Sequence, residues 1–90
     1  MEIQKSDIVR ALAGRDKYKL FFAIGIENGY VFIADGKSRK LETPKRKKLK
    51  HVAFQDRSDS RAANKLRNGE KVTNSEIRRT LAGIAADDGE

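Results

Sequence analysis

Apolar residues alternate or run together through the first half of the chain, and a helical period takes over in the second. Ile8 to Leu12 reads as a short extended segment that ends in a turn at Ala13-Gly14-Arg15-Asp16. Leu20 to Glu27 then leads through Asn28-Gly29 to Tyr30 to Ala34 and a second turn at Asp35-Gly36. Asn-Gly between apolar runs is the strongest short hairpin signal, because both central residues of a type I′ turn need positive φ. With Asn28 and Gly29 as the loop, Glu27 faces Tyr30, and counting back pairs Ile26 with Val31 and Ile24 with Ile33. Side chains two apart share a face, so these four are expected to form the core with Leu20 and Phe22. The other face carries Gly25 opposite Phe32, Ala23 opposite Ala34, and Phe21. It is too apolar to stay wet and needs a cover.

Pro44 restricts the residue before it and cannot donate to a ladder, so Leu41 to Thr43 is expected to be only a brief or edge strand. Leu49 to Phe54 alternates in part and reads as the last strand, with Leu49 and either Val52 or Ala53 inward. After Gln55-Asp56-Arg57 the period becomes helical. Ser58, Asp59 or Ser60 can cap a helix carrying Ala62, Ala63 and Leu66 on one side, and Gly69 supplies its stop. Thr73-Asn74-Ser75-Glu76 has the spacing of a capping box, Val72 and Ile77 fit a hydrophobic staple, and Ile77, Leu81 and Ile84 form a stripe for a helix lying on a sheet. Phe21 and Phe32 are expected beneath these helices. Asp87 to Glu90 reads as a frayed tail. Short strands followed by two short helices predict a small, strongly bent sheet or open barrel covered on one side.

Charge changes the picture through its position. The formal net charge of the 90-residue chain is +7. Residues 1–36 hold five basic and five acidic side chains, and residues 51–90 hold seven of each. Residues 37–50 hold eight basic side chains and one acid, Glu42, so this segment carries the whole excess. Like charges at that density repel one another unless a polyanion neutralises them. A membrane surface suits the run less well, since it has neither an amphipathic apolar face nor a lipid-anchor motif. The start of the chain lacks a signal peptide's apolar stretch and no run spans a bilayer, so a cytoplasmic protein is expected.

Catalysis has little to build on. Cysteine is absent and His51 is the only histidine, which removes thiol chemistry, disulfides and the usual zinc sites. No phosphate loop or strained nucleophile turn occurs, so the expectation is a protein that is not an enzyme and takes no metal or cofactor. Lysine-rich runs neutralise phosphates without reading sequence, while Tyr18, Tyr30, Phe32 and the Arg15 guanidinium could stack on unpaired bases.

The run Ser6-Asp7-Ile8-Val9-Arg10-Ala11-Leu12-Ala13-Gly14-Arg15-Asp16-Lys17, followed by an apolar strand, resembles the KOW motif, with Gly14 in the place of its first-turn glycine. Together with Ala34-Asp35-Gly36, Arg39-Lys40, Pro44-Lys45 and Lys50-His51-Val52, it is similar to the small bacterial KOW-domain RNA-binding proteins related to large-subunit ribosomal proteins of archaea and eukaryotes. The likeness covers about residues 6–54, and Thr73 to Arg78 fits it as well. One departure is Tyr18, where the family often has glycine.

The resemblance implies a mainly β, SH3-like small barrel (KOW domain) with two short C-terminal α-helices. The barrel would be residues 1–56, the helical extension packed on it 57–86, and the acidic tail 87–90, one domain in all. It implies binding of structured RNA, most directly ribosomal RNA, by a protein that is monomeric when free, with ribosomal proteins as further partners. The RNA contacts are expected from Arg15, Lys17, Tyr18 and Lys19 at the first turn, and from Lys37, Arg39, Lys40, Lys45, Arg46, Lys47, Lys48 and Lys50 in the basic segment. Gly14, Asn28, Gly29 and Gly36 are expected to shape the turns. Members of the wider group also contact RNA polymerase or other proteins, so a protein-docking module in transcription is the alternative.

Overall fold

Each apolar run of the first half forms a strand. The computed structural model describes residues 2–88, with side chains described to residue 84. Strands β1 (Ile8–Ala11), β2 (Leu20–Glu27), β3 (Tyr30–Ala34), β4 (Lys45–Lys48) and β5 (Val52–Asp56) precede helices α1 (Arg61–Arg67) and α2 (Asn74–Asp88). The strands make one five-stranded antiparallel sheet in the order β4-β3-β2-β1-β5. Its outermost strands are consecutive in sequence, joined only by a three-residue 3-10 turn at Leu49–His51. Laid flat at about 4.8 Å spacing, five strands would separate those edges by roughly 19 Å. A 3-10 turn advances only about 2 Å per residue, so the sheet has to curl back on itself. The outcome is a small, barrel-like β structure.

The Asn28-Gly29 turn sets the hairpin as expected: Glu27 pairs with Tyr30, Ile26 with Val31 and Gly25 with Phe32. Asn28 and Gly29 have φ of 50° and 81°. Beyond Gly25 the register shifts, and Ala23 pairs with Ile33 and Phe22 with Ala34. This bulge corrects the expected pairing of Ile24 with Ile33 and exchanges the faces of everything before it. Phe21, Ala23, Val31 and Ile33 join Val9, Ala11 and Val52 inside the curl, with Ile3 and Leu49 at its margin. Leu20, Phe22 and Ile24 turn to the other side, where Ile8 and Phe22 pack against Ala62, Ala63, Leu66, Ile77 and Leu81. The expectation that Phe21 lies beneath the helices is therefore wrong by one residue, and Phe22 takes that place. Phe32 sits outside both clusters; its ring lies against Gly25, about 4.0 Å from where a Cβ would stand. Ile26 is left exposed.

Two other boundaries move. Residues 41–43 form a turn closed by Thr43 N–H on the Lys40 carbonyl (3.0 Å), and the edge strand comes after Pro44 instead of before it. Proline cannot donate to the ladder, so pairing with β3 starts at Lys45. The last strand starts at Val52, the inward one of the Val52 and Ala53 pair, because residues 49–51 are needed to bridge the sheet edges.

The helix signals hold in detail. Ser60 caps α1 by accepting from Ala63 N–H at 3.2 Å. Gly69, at φ 74°, ends it with Glu70 N–H bonded to the Lys65 carbonyl, the closing pattern of a Schellman motif. Thr73 Oγ1 accepts from Glu76 N–H at 3.1 Å, while Glu76 also meets Lys65 Nζ at 3.0 Å. The Lys65 contact, reinforced by Thr73, holds the Glu76 carboxyl below its ordinary value. Val72, Ile77, Leu81 and Ile84 all join the helix-facing cluster. Asp87 and Asp88 continue α2, and the remainder of the expected tail, Gly89 and Glu90, lies outside the described residues.

Ahead of β1, Asp7 is buried, accepts from Gln4 N–H at 2.8 Å and receives the Arg57 guanidinium at 3.1 and 3.2 Å. It ties the start of the chain to the segment after β5. Asp7 is buried but the Arg57 side chain is 45% exposed, so removing the carboxylate leaves a guanidinium that water can take up, and what is lost is the set of hydrogen bonds that Asp7 accepts. Asp7→Ala is expected to lower the denaturation midpoint accordingly, and an unchanged midpoint would refute the assigned role.

Candidate nucleic-acid interface

Four consecutive cations, Lys45 to Lys48, form the edge strand β4. Their pairing partners decide where they point. Lys45 and Lys47 lie opposite Ile33 and Val31, on the inner side, while Arg46 and Lys48 lie opposite Phe32 and Tyr30. Lys47 is half-buried and donates through Nζ to the Ala13 carbonyl at 2.6 Å, bracing the first turn from across the sheet. The Arg46 guanidinium stands 4.5 Å from the centre of the Tyr30 ring, a cation–π arrangement that pre-orients the charge. Lys45 and Lys48 are exposed.

The first turn faces this strand. Gly14 has φ 81°, as its place in the turn requires, and Lys17 N–H closes on its carbonyl at 3.2 Å. Arg15 is exposed, whereas its neighbour Asp16 is buried and receives Arg39 Nη2 at 2.9 Å and Nε at 3.1 Å. Arg39 thus anchors the turn and leaves its guanidinium less open to a ligand than its sequence neighbours. Arg15, Tyr30, Arg46, Lys48 and His51 line one groove of about 500 Å³ between the first turn and β4.

A second group gathers elsewhere. Lys37 and Lys19 border a groove shared with Tyr18, Leu20, Arg78 and Leu81, at the start of β2 and against α2. Tyr18 is 64% exposed, has φ 73°, and carries the Lys17 ammonium 5.0 Å from its ring centre. Lys40 is exposed in the 40–43 turn, and Lys50 belongs to a third groove with Ile3, Ile26 and Phe54. Most of the expected contact residues therefore divide between two principal grooves, with Lys17, Lys40 and Lys50 outside both. Two participants escaped the sequence. His51 stands in the sequence only as the lone histidine at the end of the basic run, and Arg78 carries no local signal, because only the fold brings α2 beside residues 36–38.

The loop joining the grooves is organised by Asp35. Its carboxylate accepts from Lys37 N–H at 2.9 Å, Arg39 N–H at 2.8 Å and Ser38 Oγ at 3.0 Å. Burial works to raise its pKa, but these bonds outweigh it and hold the carboxyl below the ordinary value of 3.8. A lowered folded pKa stabilises the fold fully above the unfolded value, and the benefit disappears as pH falls through the folded one. Stability is thus expected to decline on the acid side of pH 3.8. Asp35→Asn should flatten that decline; equal acid-side slopes in denaturant titrations would show that the loop carboxylate is not responsible.

Among the described residues no group of three or more His, Cys, Asp and Glu side chains is placed to hold a metal ion. No helix of the described residues is long and apolar enough to cross a membrane. Compared with models of known families and with curated protein sequences, the chain matches none. The likeness to KOW proteins rests on the residues quoted for it.

Proposed function

We propose that the chain is a non-catalytic RNA-binding protein whose curled sheet is an SH3-like KOW barrel, acting on ribosomal RNA or the large ribosomal subunit. The observation that carries this reading is the cationic edge strand Lys45–Lys48 set across a groove from Arg15 in the first turn. Phosphates attract such a strand, and neutralising them releases counterions. Tyr30 holds the Arg46 guanidinium at the groove wall through its ring face, so that charge is already in place for a phosphate. Arg15 offers the forked donor geometry that a lysine lacks. Arg15→Lys is accordingly expected to weaken RNA binding with the fold intact, as read by filter binding beside a melting curve.

The deciding experiment is purification from a lysate, with ribonuclease treatment of one half, followed by sedimentation of the lysate. The expected result is co-purifying RNA that ribonuclease removes, and protein migrating with large subunits or whole ribosomes. Protein free of RNA at low salt and confined to the light fractions would overturn the reading. A protein-docking module in transcription is the second reading. It is favoured by the third groove, whose lining includes the exposed Ile26 together with Ile3, Val52 and Phe54. That reading expects a partner protein that survives ribonuclease.

A further inference from the structure

Tyr18 is held in a conformation that costs stability and is left mostly in water. Its φ of 73° is one that L residues other than Asn and Asp rarely adopt. The surroundings enforce it: Tyr18 N–H bonds to the Ala11 carbonyl at 2.7 Å, and its own carbonyl accepts from Arg10 Nη1 at 2.6 Å. At 64% exposure the ring contributes little to either core cluster. Strain held by a well-determined surrounding, on an exposed aromatic, is a recurring mark of a binding position.

The ring borders the groove of about 740 Å³ against α2, a size within the range of roughly 300–1,000 Å³ typical of small-molecule sites. Leu20, Leu81 and Ala82 supply apolar lining, and Lys19, Lys37 and Arg78 supply positive charge at its border. The acid in the lining, Asp35, is already occupied by the three loop donors. An aromatic wall, an apolar surface and a cationic border suit a planar, π-faced group flanked by anions.

We infer that this groove takes one unpaired nucleobase of an RNA, stacked on Tyr18, with its flanking phosphates against Lys19, Lys37 and Arg78. The inference rests on the RNA-binding reading and adds a second, structurally separate contact to it. The groove at β4 then grips backbone, and the Tyr18 groove selects for a base that is out of its helix. A protein acidic on its contact face would meet the same charges, but it would not explain a fixed, exposed ring beside an apolar surface as directly.

The test uses the full chain, its Tyr18→Gly variant, and two RNA hairpins of equal length and charge, one fully paired and one with a single-nucleotide bulge. Glycine accepts φ 73° without strain, so the variant is expected to melt a few degrees higher than the parent. The parent is expected to prefer the bulged hairpin by about fivefold or more, the scale of one base–aromatic stack. Tyr18→Gly should abolish that preference while leaving the affinity for the paired hairpin unchanged. Loss of affinity for both hairpins alike, a preference that survives in Tyr18→Gly, or no preference in the parent would each overturn the base site. If neither hairpin binds the parent even at low salt, the RNA-binding reading falls with it.

Discussion

Replacing Gly36 by alanine is expected to cost the protein most of its stability. Gly36 is buried at φ 78°, and a Cβ there would overlap the Asn74 carbonyl oxygen and lie 3.2 Å from the Arg78 nitrogen. The obstacle is backbone of helix α2, which no side-chain rotation can relieve. The surrounding contacts leave little room for the helix to retreat. Asn74 Oδ1 accepts from Leu41 N–H at 2.8 Å, Asn74 Nδ2 donates to Glu42 at 2.7 Å, and Arg78 Nη1 donates to the Gly36 carbonyl at 3.1 Å. An added methyl must either break this knot or lift α2 from Ile8 and Phe22, so a loss of about 4 kcal/mol or more is expected. Gly29 is the control. Its φ of 81° is equivalent, but a Cβ would meet nothing within 4 Å, so Gly29→Ala should cost only about 1–2 kcal/mol. Gly14→Ala should fall near Gly29→Ala, because the Cβ would stand 3.4 Å from the movable end of Lys47. Urea denaturation of the three variants separates the conformational cost, shared by all, from the collision unique to Gly36. Equal midpoints for Gly36→Ala and Gly29→Ala would remove the collision from the account.

In the amino-acid order Gly36 is one turn glycine like Gly29, and only the fold sets α2 against it. Where a local rule binds neighbouring residues, the reading is close. Asn28-Gly29 fixes the first three pairs of its hairpin, and Ser60, Gly69 and Thr73 start and stop the helices where their chemistry requires. The bulge after Ala23 was not legible, because Phe21, Phe22, Ala23 and Ile24 are all apolar and the alternation there has no phase. Only the demand for one large side chain on each face of a sheet buried on both sides selects Phe21 for the inside and Phe22 for the helices. The edge strand falls at Lys45–Lys48 and not at the expected Leu41 to Thr43 for a different reason. Lysine has little strand preference, and the free edge of β3 recruits it regardless of type. The Asp16–Arg39 pair spans 23 residues, and no local pattern announces it. It changes the role of Arg39 from an open cation to an anchor for the turn that carries Arg15.

That distinction sharpens what should happen when β4 loses its charge. Replacing Lys45, Arg46 and Lys48 by glutamine is expected to weaken binding to every RNA tested and to flatten the dependence of log K on log salt. Lys47 is left in place because its bond to the Ala13 carbonyl supports the first turn, so its removal would mix a structural effect with an electrostatic one. Each phosphate contact contributes roughly 0.7–0.9 to the slope, and three contacts give a change of about 2–3. If the contacts that do not depend on salt are unaffected, the two proteins converge near 1 M salt, and at about 0.1 M the variant binds roughly 10²–10³-fold more weakly. The fold should tolerate the change. Lys45, Arg46 and Lys48 are exposed on an edge strand, and relieving the repulsion between neighbouring cations offsets the loss of the Arg46–Tyr30 contact. The preference for a bulged over a paired hairpin should persist, since it is assigned to Tyr18 in the other groove. A parent and variant with the same salt slope would mean that β4 is a solvated edge and that the phosphates lie elsewhere. A lost preference with an unchanged slope would place base recognition at Tyr30 and Arg46 instead, where the cation already stands over the ring.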